Sequence, residues 1–225
     1  MANRKGSLNF QLLNLKSSFA IDHWSFIIWH MDPREMKSQL RTAIKDRLTR
    51  LPPKDRSAES RSLCRRILDA LPKEPITLCT YSPLSDEADI LPLIAELQKR
   101  GDRIFLPAHD GGKLIFRRMT SREDLVNGDF GIPEPPRSAE ELDPDDLMIV
   151  LVPGRAFDKK GSRLGRGNGG YDIWIRRQRK ENPKTQFWGV ALECQIVQEI
   201  PVEAHDESMD AIVTARGLMN MRGSR

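Results

Sequence analysis

From Pro33 onward, apolar and polar positions fall into blocks whose period changes along the chain. Met36, Leu40, Ile44 and Leu48 recur every four residues, which predicts a helix with one apolar face. Lys37 and Arg41, also four apart, share a neighbouring face and taken alone read as solvated positions. Pro52-Pro53 stops this helix, and Leu63, Ile67, Leu68 and Leu71 form the stripe of a second one from about Ser57 to Pro72. The pattern then becomes strand-like at Ile76 to Tyr81, followed by a loop from Ser82 to Asp89 and an amphipathic helix from Ile90 to Arg100 that Gly101 ends. Arg103 to Pro107 reads as a strand, and Lys113 to Arg118 as a hairpin arm beyond the Gly111-Gly112 turn. Ser121 to Asn127 suggests a short helical turn, and Gly128 to Pro136 an extended loop. Leu147 to Val152 is the most apolar strand and is expected to be central; Thr185 to Leu192 and Asp210 to Thr214 give two more. Helices alternating with short apolar strands argue an α/β fold whose central sheet is mostly parallel and flanked by helices, with a helical pair at the N-terminus.

Composition sharpens this picture in few places. A chain of 225 residues, 39% hydrophobic and 30% charged, suits one domain with a core. The first thirty residues differ from the rest. Phe19 to Trp29 is apolar, but Asp22 and His23 interrupt it, and it is too short for a membrane span or a secretion signal. Residues 1–30 are therefore expected to be an extension that is disordered or not made, Met31 being an ordinary start, and residues 31–225 a single domain. Of the net charge of +4, Arg4, Lys5 and Lys16 against Asp22 put +2 in that extension, so the body is nearly balanced. The run Arg176 to Lys180 lacks interleaved aromatics and reads as a helix face, not a nucleic-acid footprint. Cys64, Cys79 and Cys194 lack metal-ligand spacing and read as buried thiols in a reducing, cytoplasmic setting. The four histidines show no zinc pattern. Nothing marks an obligate interface, so a monomer is expected.

Candidate chemistry concentrates between Gly161 and Asp172, which hold five of the fifteen glycines. Glycines let backbone N–H groups approach a ligand closely, while Arg163 and Arg166 add planar charged forks suited to phosphate or carboxylate. Tyr171 onward reads as a helix start, whose N-terminus favours anions. The simplest reading is a phosphate cradle with Asp172 placed to meet a metal ion. No Gly-Lys-Ser/Thr is present, which excludes a Walker A loop. Gly165, Gly167 and Gly170, with Glu193 further on, imitate a dinucleotide fingerprint, but Arg155 to Arg163 separate the stretch from its preceding strand. Glu87, Asp89, Asp158 and Glu193 lie just past strand ends, where α/β sheets bind ligands, although each alone is ordinarily a cap or loop solvator. Asp210 stands before an apolar run, where a partly buried carboxylate needs a cation or donors.

Taken together in order and spacing, these residues resemble the 5-formyltetrahydrofolate cyclo-ligase (5,10-methenyltetrahydrofolate synthetase) family from about residue 36 to residue 214. The resemblance rests on Lys37, Leu40 and Arg41; on Tyr81 with Glu87 to Asp89; and on Phe130 to Pro135. It continues through Val152 to Asp158, the glycine stretch, and Pro201-Val202 with His205, Asp206 and Asp210. It implies a fold of the kind shared with sugar-phosphate isomerases and CoA transferases. It also implies ATP- and Mg2+-dependent closure of the small-molecule substrate 5-formyltetrahydrofolate to 5,10-methenyltetrahydrofolate, without nucleic acid or membrane. In that scheme ATP phosphorylates the formyl oxygen, N10 attacks the iminium phosphate, and phosphate leaves.

Carried over position by position, Lys37 and Arg41 would hold ATP phosphates. The stretch Arg163, Leu164, Gly165, Arg166, Gly167, Asn168, Gly169, Gly170 and Tyr171 would wrap the triphosphate. Asp172 and Asp210 would hold magnesium. Glu87, Phe130, Arg166 and Gly170 would lie against the folate, and Arg166 and Asp172 would be the catalytic pair. The family pattern ends Gly-Tyr-Tyr-Asp, and here Gly170 replaces the first tyrosine. An ATP-binding paralogue of the same fold without cyclo-ligase activity is the alternative that this departure keeps open.

Overall fold

The structure is a computed structural model that describes residues 32–128 and 131–221. The expectations for residues 1–30 and for Phe130 lie outside the described residues.

Two helices open the fold. Helix α1 (Pro33–Arg50) starts with proline at its first position, where the N–H would have no partner, and the Asp32 side chain accepts from Arg34 N at 3.1 Å. Helix α2 (Pro53–Ala70) starts four residues earlier than its apolar stripe suggests, because Pro53 is itself a good first helical residue. Ile44 and Leu48 of α1 and Leu63 and Ile67 of α2 are buried together in one core.

Strand β1 (Thr77–Cys79) is buried throughout; helix α3 (Leu91–Arg100) follows and ends at Gly101 with φ 94°. Next come β2 (Arg103–Asp110) and its hairpin partner β3 (Lys113–Arg118). Residues 121–127, expected to hold a helical turn, instead pass through a turn into a two-residue strand β4 (Val126–Asn127) that pairs with β5 (Pro133–Glu134). The run is too short and polar to offer a face that would fix a helix. Strand β6 (Ile149–Pro153) leads to the small strands β7 (Ala156–Asp158) and β8 (Arg163–Leu164), then to helix α4 (Gly170–Glu181). Strands β9 (Gln186–Val190), β10 (Ile196–Val197), β11 (Ala211–Thr214) and β12 (Gly217–Asn220) complete the described chain.

The main sheet has seven strands in the order β12-β11-β9-β6-β1-β2-β3. The pairings among β11, β9, β6, β1 and β2 are parallel, and the edges β12 and β3 are antiparallel. One face packs on α1, α2 and α3. The other packs on α4 through Phe105, Phe116, Phe157, Trp174 and Phe187, with Phe116 and Trp174 ring centroids 4.4 Å apart. The chain runs from β1 to β2 on one side, then from β6 to β9 to β11 on the other. Strand order therefore reverses between β1 and β6, and in open α/β sheets the crevice at such a reversal is where ligands bind.

Candidate functional site at the β1/β6 reversal

The loop after β1 is tied down at every step. Leu84 N donates to Glu87 Oε2 at 3.0 Å, Tyr81 Oη donates to Ala88 O at 3.2 Å, and Asp89 N donates to the buried Ser60 Oγ of α2 at 3.1 Å. Arg56 of α2 also donates to Ser85 O and, at 2.6 Å, to Leu48 O. So held, the loop presents two carboxylates to one guanidinium: Arg166 Nη2 lies 2.7 Å from Asp86 Oδ1 and 2.8 Å from Glu87 Oε1. Glu87 is buried, whereas Arg166 is 36% exposed and stands at the opening. Asp86 also accepts from Arg155. Burial alone would raise the Asp86 pKa, but the bonds from Arg166 and Arg155 bring it below its usual 3.8.

The loop after β6 is longer. Asp158, one of the acids past a strand end, is fully buried and accepts from the backbone N–H groups of Lys160, Ser162 and Ile200 at 2.9, 2.9 and 3.0 Å. It is a tie within the fold. Leu164 is buried, so it can offer the loop only backbone groups. Gly167 and Gly169 have φ of 112° and 68°, conformations that a side chain would strain, and Gly169 caps the start of α4. The first N–H groups of that helix lack intrahelical acceptors and carry its positive end. Asn168 Oδ1 faces Gly170 N at 3.4 Å.

Helix α1 closes the site from the other side. Arg41 Nε donates to Gly165 O at 2.9 Å. Lys37 is buried, and its Nζ lies 2.6 Å from Asp206 Oδ2 and 2.8 Å from Glu203 Oε2. Desolvation lowers the Lys37 pKa, but the two carboxylate bonds outweigh it and leave the ammonium above its usual 10.5. Asp206 is correspondingly held below 3.8, the Lys37 bond overcoming the cost of burial.

The structure thus brings together Arg41, the loop from Gly165 to Gly170, Arg166 and Glu87, while Lys37, one turn before Arg41, meets Glu203 and Asp206. Four other expected residues, Arg163, Tyr171, Asp172 and Asp210, are engaged within the protein. Arg163 points into the protein with its side chain only 4% exposed, bonded to Asp172 Oδ2 at 2.9 Å and to Pro153 O at 3.3 Å. Its guanidinium carbon lies 5.5 Å from the Tyr171 ring centroid. The phenolic oxygen of Tyr171 is buried without a hydrogen-bond partner, and its pKa is pushed up by burial, with Glu87 adding to the effect.

Asp172, besides Arg163, accepts from Glu207 N at 3.2 Å. Asp210 accepts from Phe187 N at 2.8 Å near the amino end of β9 and faces Arg179 Nη1 at 3.4 Å. Arg179 lies seven residues beyond Asp172 on α4, about 10 Å along a helix at ~1.5 Å per residue. Glu207 lies between them: its backbone N–H donates to Asp172 and its side chain faces Arg179.

Asp86, Glu203 and Asp206 carry no role in the sequence reading. For Asp206 the signal was its place beside His205 in the C-terminal pattern. Glu193, the acid of the imitation dinucleotide fingerprint, instead accepts from Arg216 N at 3.2 Å. In the basic run, Arg176 and Arg179 meet Glu207 and Arg177 faces Glu181, so these charges are engaged within the chain. No described helix is long and apolar enough to cross a membrane.

Residues 33–215 match the 5-formyltetrahydrofolate cyclo-ligase family. The chain belongs to that family. The 5-formyltetrahydrofolate cyclo-ligase of Mycolicibacterium smegmatis is 33% identical over 201 residues, spanning 85% of this chain and 100% of the relative. That of Escherichia coli K12 is 34% identical over 142 residues, 61% of this chain and 77% of the relative. The solved 5,10-methenyltetrahydrofolate synthetase of Aquifex aeolicus superposes with a TM-score of 0.72 at 33% identity, covering 84% of this chain and 95% of that one. The corresponding Mycoplasma pneumoniae structure has a TM-score of 0.62 at 19% identity over 82% of this chain and 99% of that one, and shares the fold. The cyclo-ligase family is a ligase family, and its fold is the α/β architecture described above.

Proposed function

We propose that this protein closes 5-formyltetrahydrofolate to 5,10-methenyltetrahydrofolate with consumption of ATP. The observation that carries the reading is the meeting of Arg166 with Glu87: a half-exposed guanidinium of the glycine loop touches a buried carboxylate of the β1 loop. An anion-binding loop and a group able to hold a folate donor thereby share one opening.

The residues fit a triphosphate. Lys37, Arg41 and Arg166 are cations around a glycine backbone that leads into a helix N-terminus, and such sites hold phosphate. ATP would supply the phosphoryl group that turns the formyl oxygen into a leaving group. The formyl oxygen would take the γ-phosphoryl group as ADP departs, N10 would add to the iminium carbon and release its proton to solvent, and phosphate would leave. The protein's share is positioning and charge neutralisation. Arg166 would exchange part of its pairing with Asp86 for phosphate oxygens, while Glu87 keeps its bond from Leu84 N and turns its other oxygen to the folate. Magnesium fits Asp172, an oxygen donor in the first turn of α4 beside the loop, with Asp210 as the second carboxylate that would share it.

Absorbance at the methenyl-folate band tests this directly with purified protein, 5-formyltetrahydrofolate, ATP and magnesium. A rise that requires both ATP and magnesium and collapses in Arg166→Ala and Asp172→Ala supports the reading. ATP binding without product formation would instead identify an ATP-binding paralogue, and Gly170 is the residue that favours that second reading.

A further inference from the structure

Arg163 stands inside the glycine stretch, yet its guanidinium does not face the opening. It leaves β8 and passes beneath the loop, with its side chain 4% exposed. On the way it lies against two glycines. A Cβ on Gly165 would come within 3.1 Å of Arg163 Nη1, and a Cβ on Gly154 within 3.2 Å of Arg163 Cγ and, closer still, 2.7 Å of Phe157 Cζ. Neither glycine has positive φ, so clearance and not backbone conformation is what a side chain would lack at these positions. The far end of the fork divides between two elements. Nη1 donates to Pro153 O, at the end of β6, and Nη2 donates to Asp172 Oδ2, in the first turn of α4. The Tyr171 ring lies beside the guanidinium.

We propose that Arg163 is a positioning residue that touches no ligand: it runs under the loop as a strut between β6 and α4 and sets the orientation of Asp172 and of the helix N-terminus above it. The proposal concerns the cradle of the reaction inferred above and rests on that reading for its kinetic consequence only. Its physical basis is geometric. Burying a guanidinium costs more than it returns unless partners are fixed around it; here Asp172 and Pro153 O hold its two terminal nitrogens, while Nε is buried without a hydrogen-bond partner. A fork shared between the end of a strand and the start of a helix removes their relative freedom, which is what an anion cradle needs. Gly165 on this account is glycine so that Arg163 can pass, whereas Gly167 and Gly169 are glycine for the turn itself.

A double-mutant cycle tests the strut. Gly165→Ala, Arg163→Met and the combination are compared with the parent by thermal unfolding without ligand and by steady-state kinetics. With the strut in place, Gly165→Ala crowds the guanidinium and lowers Tm by about 3 °C and kcat by about tenfold. In the Arg163→Met background the same change lowers Tm by less than ~1 °C and kcat by less than about twofold, because the clash has gone. Arg163→Met alone lowers kcat by about tenfold or more, with the KM for ATP changed less than about threefold. Equal effects of Gly165→Ala in both backgrounds overturn the proposal. So does an Arg163→Met protein of unchanged Tm and kcat whose KM for ATP rises about tenfold, the signature of a direct phosphate ligand. If Arg163→Met does not fold, Arg163→Lys, which keeps stem and charge but loses the fork, takes its place in the cycle. The ligand-free Tm arm contains no substrate, so it stands even if the cyclo-ligase reading fails.

Discussion

Arg41 Nε donates to the carbonyl oxygen of Gly165 at 2.9 Å across a sequence separation of 124 residues. The contact joins the first helix to the glycine loop at the residue beneath which Arg163 passes. Arg41 is thus engaged by the loop's backbone, and a phosphate would meet the rest of its guanidinium. Lys37, one turn earlier, is held by Glu203 and Asp206. Helix α1 therefore clasps the loop through Arg41 and the segment after β10 through Lys37.

Arg41→Lys separates the clasp from the charge. A lysine keeps the cation but has no N–H at the Nε position, so the loop loses its tie. We expect kcat/KM for ATP to fall about tenfold, in keeping with the cost of small misplacements at a reacting centre. Initial rates of methenyl-folate formation at varied ATP measure this; an unchanged value would show that the Gly165 contact does not organise the loop.

Lys37→Met leaves Glu203 and Asp206 facing each other without their cation. The expected loss of stability is about 1–3 kcal/mol, at the lower end of what a buried pair costs when broken, because both carboxylates are partly exposed. Urea denaturation reads the change. Adding Asp206→Asn to Lys37→Met should recover part of it, and a fully additive double variant would contradict the pairing.

The same pairs set the pH dependence. Asp86 and Asp206 are held below their usual 3.8, so their contribution is complete above that value and is lost as pH falls through the lower folded-state pKa. Lys37 is held above 10.5, so its contribution is complete below 10.5 and is lost as pH rises through the folded-state value. Unfolding followed against pH should show an acid limb beginning near 3.8, made shallower by Asp206→Asn. An acid limb identical in that variant would remove Asp206 from the account.

Gly170 has room for a side chain. A Cβ there would meet Leu114 Cβ and Asn168 Oδ1 at 3.9 Å, ordinary contact distances, and the residue opens α4 without positive φ. Gly170→Tyr should therefore fold, with stability unchanged or raised by up to ~1 kcal/mol from the lost flexibility of glycine. Its effect is expected in the KM for the folate and not in that for ATP. A shift confined to ATP would place Gly170 on the nucleotide side.

Burial pushes the Cys64 thiol up to about 11 and raises Cys79 well above its usual value. Both should resist alkylation at pH 8 in the folded protein and react once denaturant is added. Rapid labelling of either in the native state would show that the surrounding core opens locally.

Local chemistry along the chain was enough to set the main helices, the longer strands and their class, but not the two- to four-residue strands such as β4, β7, β8 and β12. Apolar periods of four in the first two helices, the β-rich run at Leu147 to Val152 and the Gly111-Gly112 turn each follow from neighbouring residues, and the structure has a helix, strand or turn at each. The site's centre was legible in the same way, because a glycine stretch with arginines before a helix start is a local pattern. Which way each charged side chain points was settled by the fold. Arg163 and Arg166 are three residues apart, yet one is a buried strut and the other stands at the opening. Nothing local separates them; what does is Pro153 O and Asp172 on one side and the β1 loop on the other. By spacing alone Lys37 read as a solvated position, and only the fold shows Glu203 and Asp206, more than 160 residues later, against its ammonium. Asp172 and Asp210 were paired through the family resemblance, and the fold gives each its own backbone donor, Glu207 N for one and Phe187 N for the other. Charge pairing acts through space over a few ångströms, and only the folded chain sets which charges come that close.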